Sequence, residues 1–229
     1  MMFLLKLIFF TFIIISCSKK SEKNNEFLPE KPIAKEVYDS SNFGIYKGVF
    51  VGSSGTVVID INNSGSVIAI LKIDNISYEF TSSQTIQINK PTVIDFNNGN
   101  NRFTFSVSLN GSNPTISNLI INGHDNPTLI VVKELSNTIV NCYEGTFSGG
   151  DSGIVNAVIF NNNLKALVRS NVYNSTVIAT GTINNNQISA GTANNGATFV
   201  GMANGKVYSG TWNNSLVSAK GSWTMKRID

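Results

Sequence analysis

Residues 187–214 read QISAGTANNGATFVGMANGKVYSGTWNN, and this stretch decides the fold. Asn204-Gly205 is the favoured pair for a two-residue hairpin turn of type I′, and Asn194-Asn195-Gly196 suits a three-residue loop with glycine in the left-handed region. Those two turns align three strands. The first sets Gly201 opposite Tyr208, Phe199 opposite Gly210 and Ala197 opposite Trp212; the second sets Gly191 opposite Phe199 and Ser189 opposite Gly201. One face therefore places each aromatic ring against Gly or Ala. A ring lying over a strand glycine fills the space its missing side chain leaves, as tightly curved sheets need.

Working outward, a three-residue turn at Asn184-Asn185-Asn186 brings Gly181 to Ser189 and Ala179 to Gly191, and a two-residue turn at Asn213-Asn214 brings Ala219 to Tyr208 and Val217 to Gly210. Large-small complementarity over five strands is what the inside of a small barrel requires, because interior positions must mix sizes to fit the taper. It leaves little room for a ligand. The last strand runs on through Gly221, Trp223 and Met225 past its predecessor, so its overhang is expected to pair elsewhere, with residues 143–147 as the partner that closes the sheet.

Upstream the same grammar of short strands between Asn and Gly persists. Phe103, Phe105, Val107 and Leu109 alternate with Thr104, Ser106 and Ser108, the period-2 pattern of a strand with one buried face. Further strands are expected at 46–50, 56–61, 66–72, 76–81, 84–89, 92–97, 115–121 and 128–133. Tyr46, Gly48, Phe50 and Gly52 recur in the same spacing as Tyr143, Gly145, Phe147 and Gly149. Each set is followed by a Ser-Gly pair, an apolar strand and an Asn turn, at Asn62-Asn63 or Asn161-Asn162-Asn163. This predicts a duplication. The expected fold is all-β, an antiparallel up-and-down meander forming two similar barrel-like or coiled-sheet units in tandem, residues 41–138 and 139–229. The Gly-Thr-Trp and Gly-Ser-Trp endings at Trp212 and Trp223 resemble strand patterns of lipocalin-like and avidin-like barrels and of barrel lobes in surface lipoproteins. The resemblance is one of style and carries over no ligand and no site.

At the other end, Phe3 to Ile15 is apolar except for Lys6 and Thr11, shorter than the roughly 20 residues that span a bilayer and suited to a signal-peptide core. Ile14-Ile15-Ser16-Cys17 resembles the bacterial lipobox. That resemblance implies a leader of residues 1–16, removed, and a diacylglyceryl group with a further acyl chain on Cys17. Each buried methylene adds about 0.8 kcal/mol of membrane affinity, so several chains anchor effectively permanently. Residues 17–40, rich in Lys, Glu, Ser and Asn with Pro29 and Pro32, are expected to form a disordered tether. The Ser-Cys-Ser-Lys-Lys start is similar to Bacteroidota-type lipoproteins and implies the outer membrane, with the periplasmic and surface faces both open.

Charged residues make up only 14% of the chain, and between Ser41 and Asp229 basic and acidic side chains nearly balance without a basic cluster. Nucleic acid, whose phosphates need concentrated Lys and Arg, is therefore not expected. Of two cysteines one belongs to the lipid, so Cys142 has no intrachain disulfide partner and reads as a small buried hydrophobe. The sole histidine, His124, sits in a polar turn beside Asp125. Asp95, Asn97 and Gly99 only partly match a calcium loop. Asp60, Asp74 and Glu79 could meet in space as a carboxylate pair. Trp212 and Trp223 fall on the packed face rather than as glycan platforms. Cys17 is thus the one residue given a chemical role, and no catalytic residue, metal or cofactor is implied. The expected function is a lipid-anchored, non-catalytic envelope protein that binds a protein, glycan or small molecule or supports an envelope assembly. An enzyme with a cryptic carboxylate site and a purely structural or adhesive surface protein are the alternatives.

Overall fold

A computed structural model describes residues 28–228, so the leader, Cys17 and the first part of the expected tether lie outside the described residues. The described residues form two antiparallel eight-stranded sheets in tandem. The first contains β1 (Gly44–Val51), β2 (Ser54–Ile61), β3 (Val67–Ile73), β4 (Ile76–Thr81), β5 (Thr92–Asn98), β6 (Asn101–Val107), β7 (Thr115–Ile120) and β8 (Thr128–Lys133). The second contains β9 (Asn141–Gly149), β10 (Gly153–Phe160), β11 (Asn163–Ser170), β12 (Ser175–Asn184), β13 (Gln187–Thr192), β14 (Ala197–Asn204), β15 (Val207–Asn214) and β16 (Ala219–Arg227). In both units each strand follows its predecessor and the last returns to pair with the first. The two stretches of matching spacing are the opening strands: Tyr46 and Phe50 of β1 enter the first core, and Tyr143 and Phe147 of β9 enter the second.

The overhang of the last strand closes the second sheet. β16 pairs with β9 from Gly221 facing Gly149 to Arg227 facing Tyr143, completing a barrel. In the first sheet β7 and β8 remain unpaired edges, and β4 touches β5 through one facing pair, Thr81 and Asn97.

The turns differ from the sequence expectation in ways their residues explain. Gly205-Lys206, not Asn204-Gly205, makes the β14–β15 turn, with Gly205 at φ 61° in the first central position. The register slides by an even step that keeps every side chain on its expected face, so Phe199 faces Trp212 and Gly201 faces Gly210. Between β12 and β13 only Asn185 and Asn186 form the turn, both with positive φ, a type I′ pair rather than a three-residue loop. That odd step turns β13 over. Ile188 and Ala190 face inward instead of Ser189 and Gly191, and burial of Ile188 is the gain. The β15–β16 connection spans 215–218, so Trp212 faces Gly221, and Gly210 faces Trp223. Rings still lie over glycines, with other partners: a Cβ on Gly201 would strike the Trp223 ring and one on Gly221 the Trp212 ring.

Two further expectations are corrected. Residues 84–89 do not form a strand, because side-chain amides take the place of backbone pairing. Gln84 donates from Nε2 to the Val93 carbonyl at 3.3 Å and accepts Asp95 N–H at 2.7 Å, while buried Asn42 donates to the Gln87 carbonyl at 2.8 Å and accepts Asn89 N–H at 2.7 Å. Residues 28–40 are not a free tether. Leu28 is buried between the units, the Ile33 N–H donates to Glu134 Oε1 at 2.8 Å, the Lys35 N–H to Asn63 Oδ1 at 2.9 Å, and Asp39 accepts both the N–H and hydroxyl of Ser136.

β1 is buried along its whole length because both its faces are covered. Its inner face belongs to the first core; its outer face, with Val49 and Val51, meets Ile130 and Val132 of β8, Cys142, Val158 of β10 and Leu167 of β11 in a core shared by the units. Polar contacts fix the same junction. Asn156 of β10 donates to the Phe50 carbonyl at 2.8 Å, and Arg169 of β11 donates to the carbonyls of Asp125 and Asn126 at 3.1 and 3.0 Å. Lys47 and Glu134, both fully buried, form an ion pair whose carboxylate also takes the Val140 N–H.

Candidate functional site

The connections 150–152, 171–174, 193–196 and 215–218 gather at one end of the closed barrel, since each follows a strand running that way. Each is pinned by its own polar residue. Asp151 Oδ1 accepts Ser152 N–H at 2.6 Å, Ser170 Oγ accepts Tyr173 N–H at 3.0 Å, Asn195 Oδ1 accepts Ala197 N–H at 3.2 Å, and Asn214 Oδ1 accepts Leu216 N–H at 3.0 Å. Asn, Ser and Asp favour such local bonds, which is why they populate these turns.

Within this ring lies a cavity of about 100 Å³. Phe147, Phe199 and Trp212 form its floor, where Phe147 meets the Trp212 ring edge-on at 5.8 Å. Trp212 Nε1 donates to the Ser148 carbonyl at 3.0 Å, so its one polar atom is satisfied within the wall. Below the floor the barrel is filled by Ile188, Trp223 and Met225, leaving a void of only about 20 Å³. Two exposed apolar side chains line the opening, Tyr173 at 66% and Val217 at 57% of their free surface, and their chain neighbours Val172 and Leu216 are exposed on the same connections. Among the described residues Asp151 is the only charged side chain lining the cavity. This geometry suits insertion of one ring or branched aliphatic group, whose entry would remove the rim from water.

The residues singled out from sequence are scattered. Cys17 lies outside the described residues. Cys142 is buried at the junction, its Sγ 3.5 Å from the Gly48 carbonyl, and burial pushes its thiol from 9.0 up to about 12, which leaves it inert. His124 ends a turn on the Ile121 carbonyl and presents its ring edge-on to Phe50 at 5.5 Å. Asp95 accepts the Thr104 hydroxyl at 2.7 Å across a strand pair. Asp60 caps its own turn through Asn63 N–H and Ser64, Asp74 accepts the Ser53 hydroxyl, and Glu79 lies on β4. Among the described residues no group of three or more His, Cys, Asp or Glu is placed to hold a metal ion. Trp212 and Trp223 are both buried, in agreement with the packed-face reading.

Sequence reasoning passed over the rim. Its signal was present as two apolar doublets, Val172-Tyr173 and Leu216-Val217, set inside Asn- and Ser-rich turns where nothing local buries them. Fold and site together define a tandem meander-barrel protein with one apolar mouth. No protein-family model, curated protein or solved structure matches the chain.

Proposed function

We propose that the protein is a lipid-anchored, non-catalytic component of the bacterial cell envelope, held through Cys17, whose C-terminal barrel receives an apolar side chain of a protein partner at its mouth. The observation that carries this reading is a cavity the size of one ring lined by the exposed side chains of Tyr173 and Val217, with Val172 and Leu216 exposed beside them on the same connections. Exposed apolar patches on soluble surfaces mark interaction sites, and a pocket that takes one anchor side chain inside a water-excluding rim is how such interfaces concentrate their energy. The direction of the mouth supports the same reading. The N-terminal segment meets the barrel at its other end, where Glu30 pairs with Lys206 in the β14–β15 turn. A body held from that end presents the mouth away from the membrane.

The mouth is tested by titrating the full chain with p-cresol, a stand-in for a tyrosine side chain, and following backbone amide resonances. Shifts confined to 171–174, 195–199 and 212–219, lost on Val217→Asp, are expected at concentrations up to roughly 10 mM. No shift there, or shifts unchanged by Val217→Asp, overturns the reading. The anchor is tested by Cys17→Ser, which should move the protein from membrane to soluble fractions with its melting temperature unchanged.

A further inference from the structure

At the end of the body opposite the mouth, the two units enclose a cleft of about 480 Å³, within the roughly 300–1,000 Å³ of small-molecule sites. The first unit contributes the 110–114 connection, the end of β8 and the linker beyond it; the barrel contributes the β10–β11 turn and the start of β11. Three kinds of chemistry converge there. Phe160 and Leu135, both half-buried, supply an apolar wall. Asn113 and Asn161 are exposed on the lining and offer amide donors and acceptors.

The third kind is cationic. Lys165 is half-buried in the cleft, and among the described residues its side chain makes no hydrogen bond or ion pair. Lys133 donates to the carbonyls of Tyr38 and Ser41, which leaves one of its three N–H groups uncommitted. Burial pushes its ammonium down to about 8, and the nearby Asp39 carboxylate offsets only part of that desolvation. The one acid on the lining, Asp39, is held by the N–H and hydroxyl of Ser136 at 2.9 and 2.7 Å.

We propose that this cleft binds an acidic sugar, with its carboxylate at Lys165 and Lys133, its hydroxyls at the asparagine amides and one face of its ring against Phe160. A bare inorganic anion would use the lysines and leave the apolar wall in water. A neutral sugar would use the wall and leave Lys165 uncompensated. The site is separate from the barrel mouth and does not depend on what docks there.

The test compares N-acetylmuramic acid with N-acetylglucosamine, which lacks the lactyl ether that carries the carboxylate, on the full chain by calorimetry and amide chemical shifts. N-acetylmuramic acid is expected to shift residues 110–114 and 160–165 and to bind about tenfold or more tightly than N-acetylglucosamine, a preference lost in Lys165→Gln. A melting temperature unchanged in Lys165→Gln shows that the loss is local. Glucuronic acid against glucose gives a second pair for the same contrast. Equal binding of acidic and neutral sugars, no binding of either acid, or equal shifts from inorganic sulfate overturns the proposal.

Discussion

In the first unit six fully buried aromatic side chains, Tyr46, Phe50, Phe80, Phe96, Phe103 and Phe105, fill the interior, and the sheet fails to close by hydrogen bonds. The second also buries six rings, Tyr143, Phe147, Phe199, Tyr208, Trp212 and Trp223, but sets them among Ala157, Ala166, Ala179, Gly201, Gly210 and Gly221, and the ring of strands closes. An eight-stranded barrel is just wide enough for its side chains to fill. Rings clustered with Val57, Ile59, Ile61, Leu71, Ile73 and Ile94 hold the wall apart, so it splits at β7 and β8 and loosens at β4 and β5, where Gln84 and Asn98 bridge with their side-chain amides. Small residues let the wall draw together, and the missing bulk reappears as space at the mouth. The same plan thus yields one unit sealed by its contents and another sealed by its backbone.

The largest expected effect falls where the two units join. Glu134→Ala leaves the Lys47 ammonium buried without its partner and should cost about 3–5 kcal/mol in urea unfolding. A loss below about 1 kcal/mol would mean that the junction contributes little and that the units stand independently. Next comes the closure of the barrel. Gly201→Ala drives a methyl into the Ser209 carbonyl and the Trp223 ring and should cost about 1–3 kcal/mol; a neutral outcome would show that the small inner wall is not what closure requires. The smallest effect concerns pH. The folded Cys142 thiol is raised from 9.0 to about 12, so the unfolded thiol ionises first. Its contribution is complete below pH 9 and is lost as pH rises toward 12, at about 1.4 kcal/mol per pH unit. Tyr143, raised from 10.0 to about 12, acts in the same direction but from pH 10. Cys142→Val should therefore flatten the stability profile between pH 9 and 10, read from denaturation midpoints; an unchanged slope would place the thiol in contact with water.

Much of this architecture was legible because period-2 alternation and Asn-Gly punctuation report directly on backbone geometry. The aromatic-over-glycine face, the closing partner of the last strand and the repeated opening strand all follow from local patterns. What failed were the choices within runs of asparagine, where any adjacent pair tolerates left-handed φ and the burial of Ile188 selects the turn. The 84–89 segment failed for a related reason: strand propensity cannot register that Gln84 offers β5 a substitute for backbone. The docking of Leu28 and Ile33 within the expected tether has no local signal, since their partners lie far along the chain. The two candidate sites could not be assembled from sequence for the same reason. Tyr173 and Leu216, or Lys165 and Phe160, belong to separate turns and strands that only the closed topology gathers.

The segment from Leu28 to Asp39 has a mechanical consequence. A pull on the N-terminus must first draw Leu28 from the core shared by both units, then separate Glu30 from Lys206, and then break the bonds of Ile33, Lys35 and Asp39 before it reaches β1. These contacts bear on the barrel, the first unit and the linker between them. Tension applied at the N-terminus is therefore shared between both units, and it arrives as shear on a packed segment instead of peeling the first strand from its sheet.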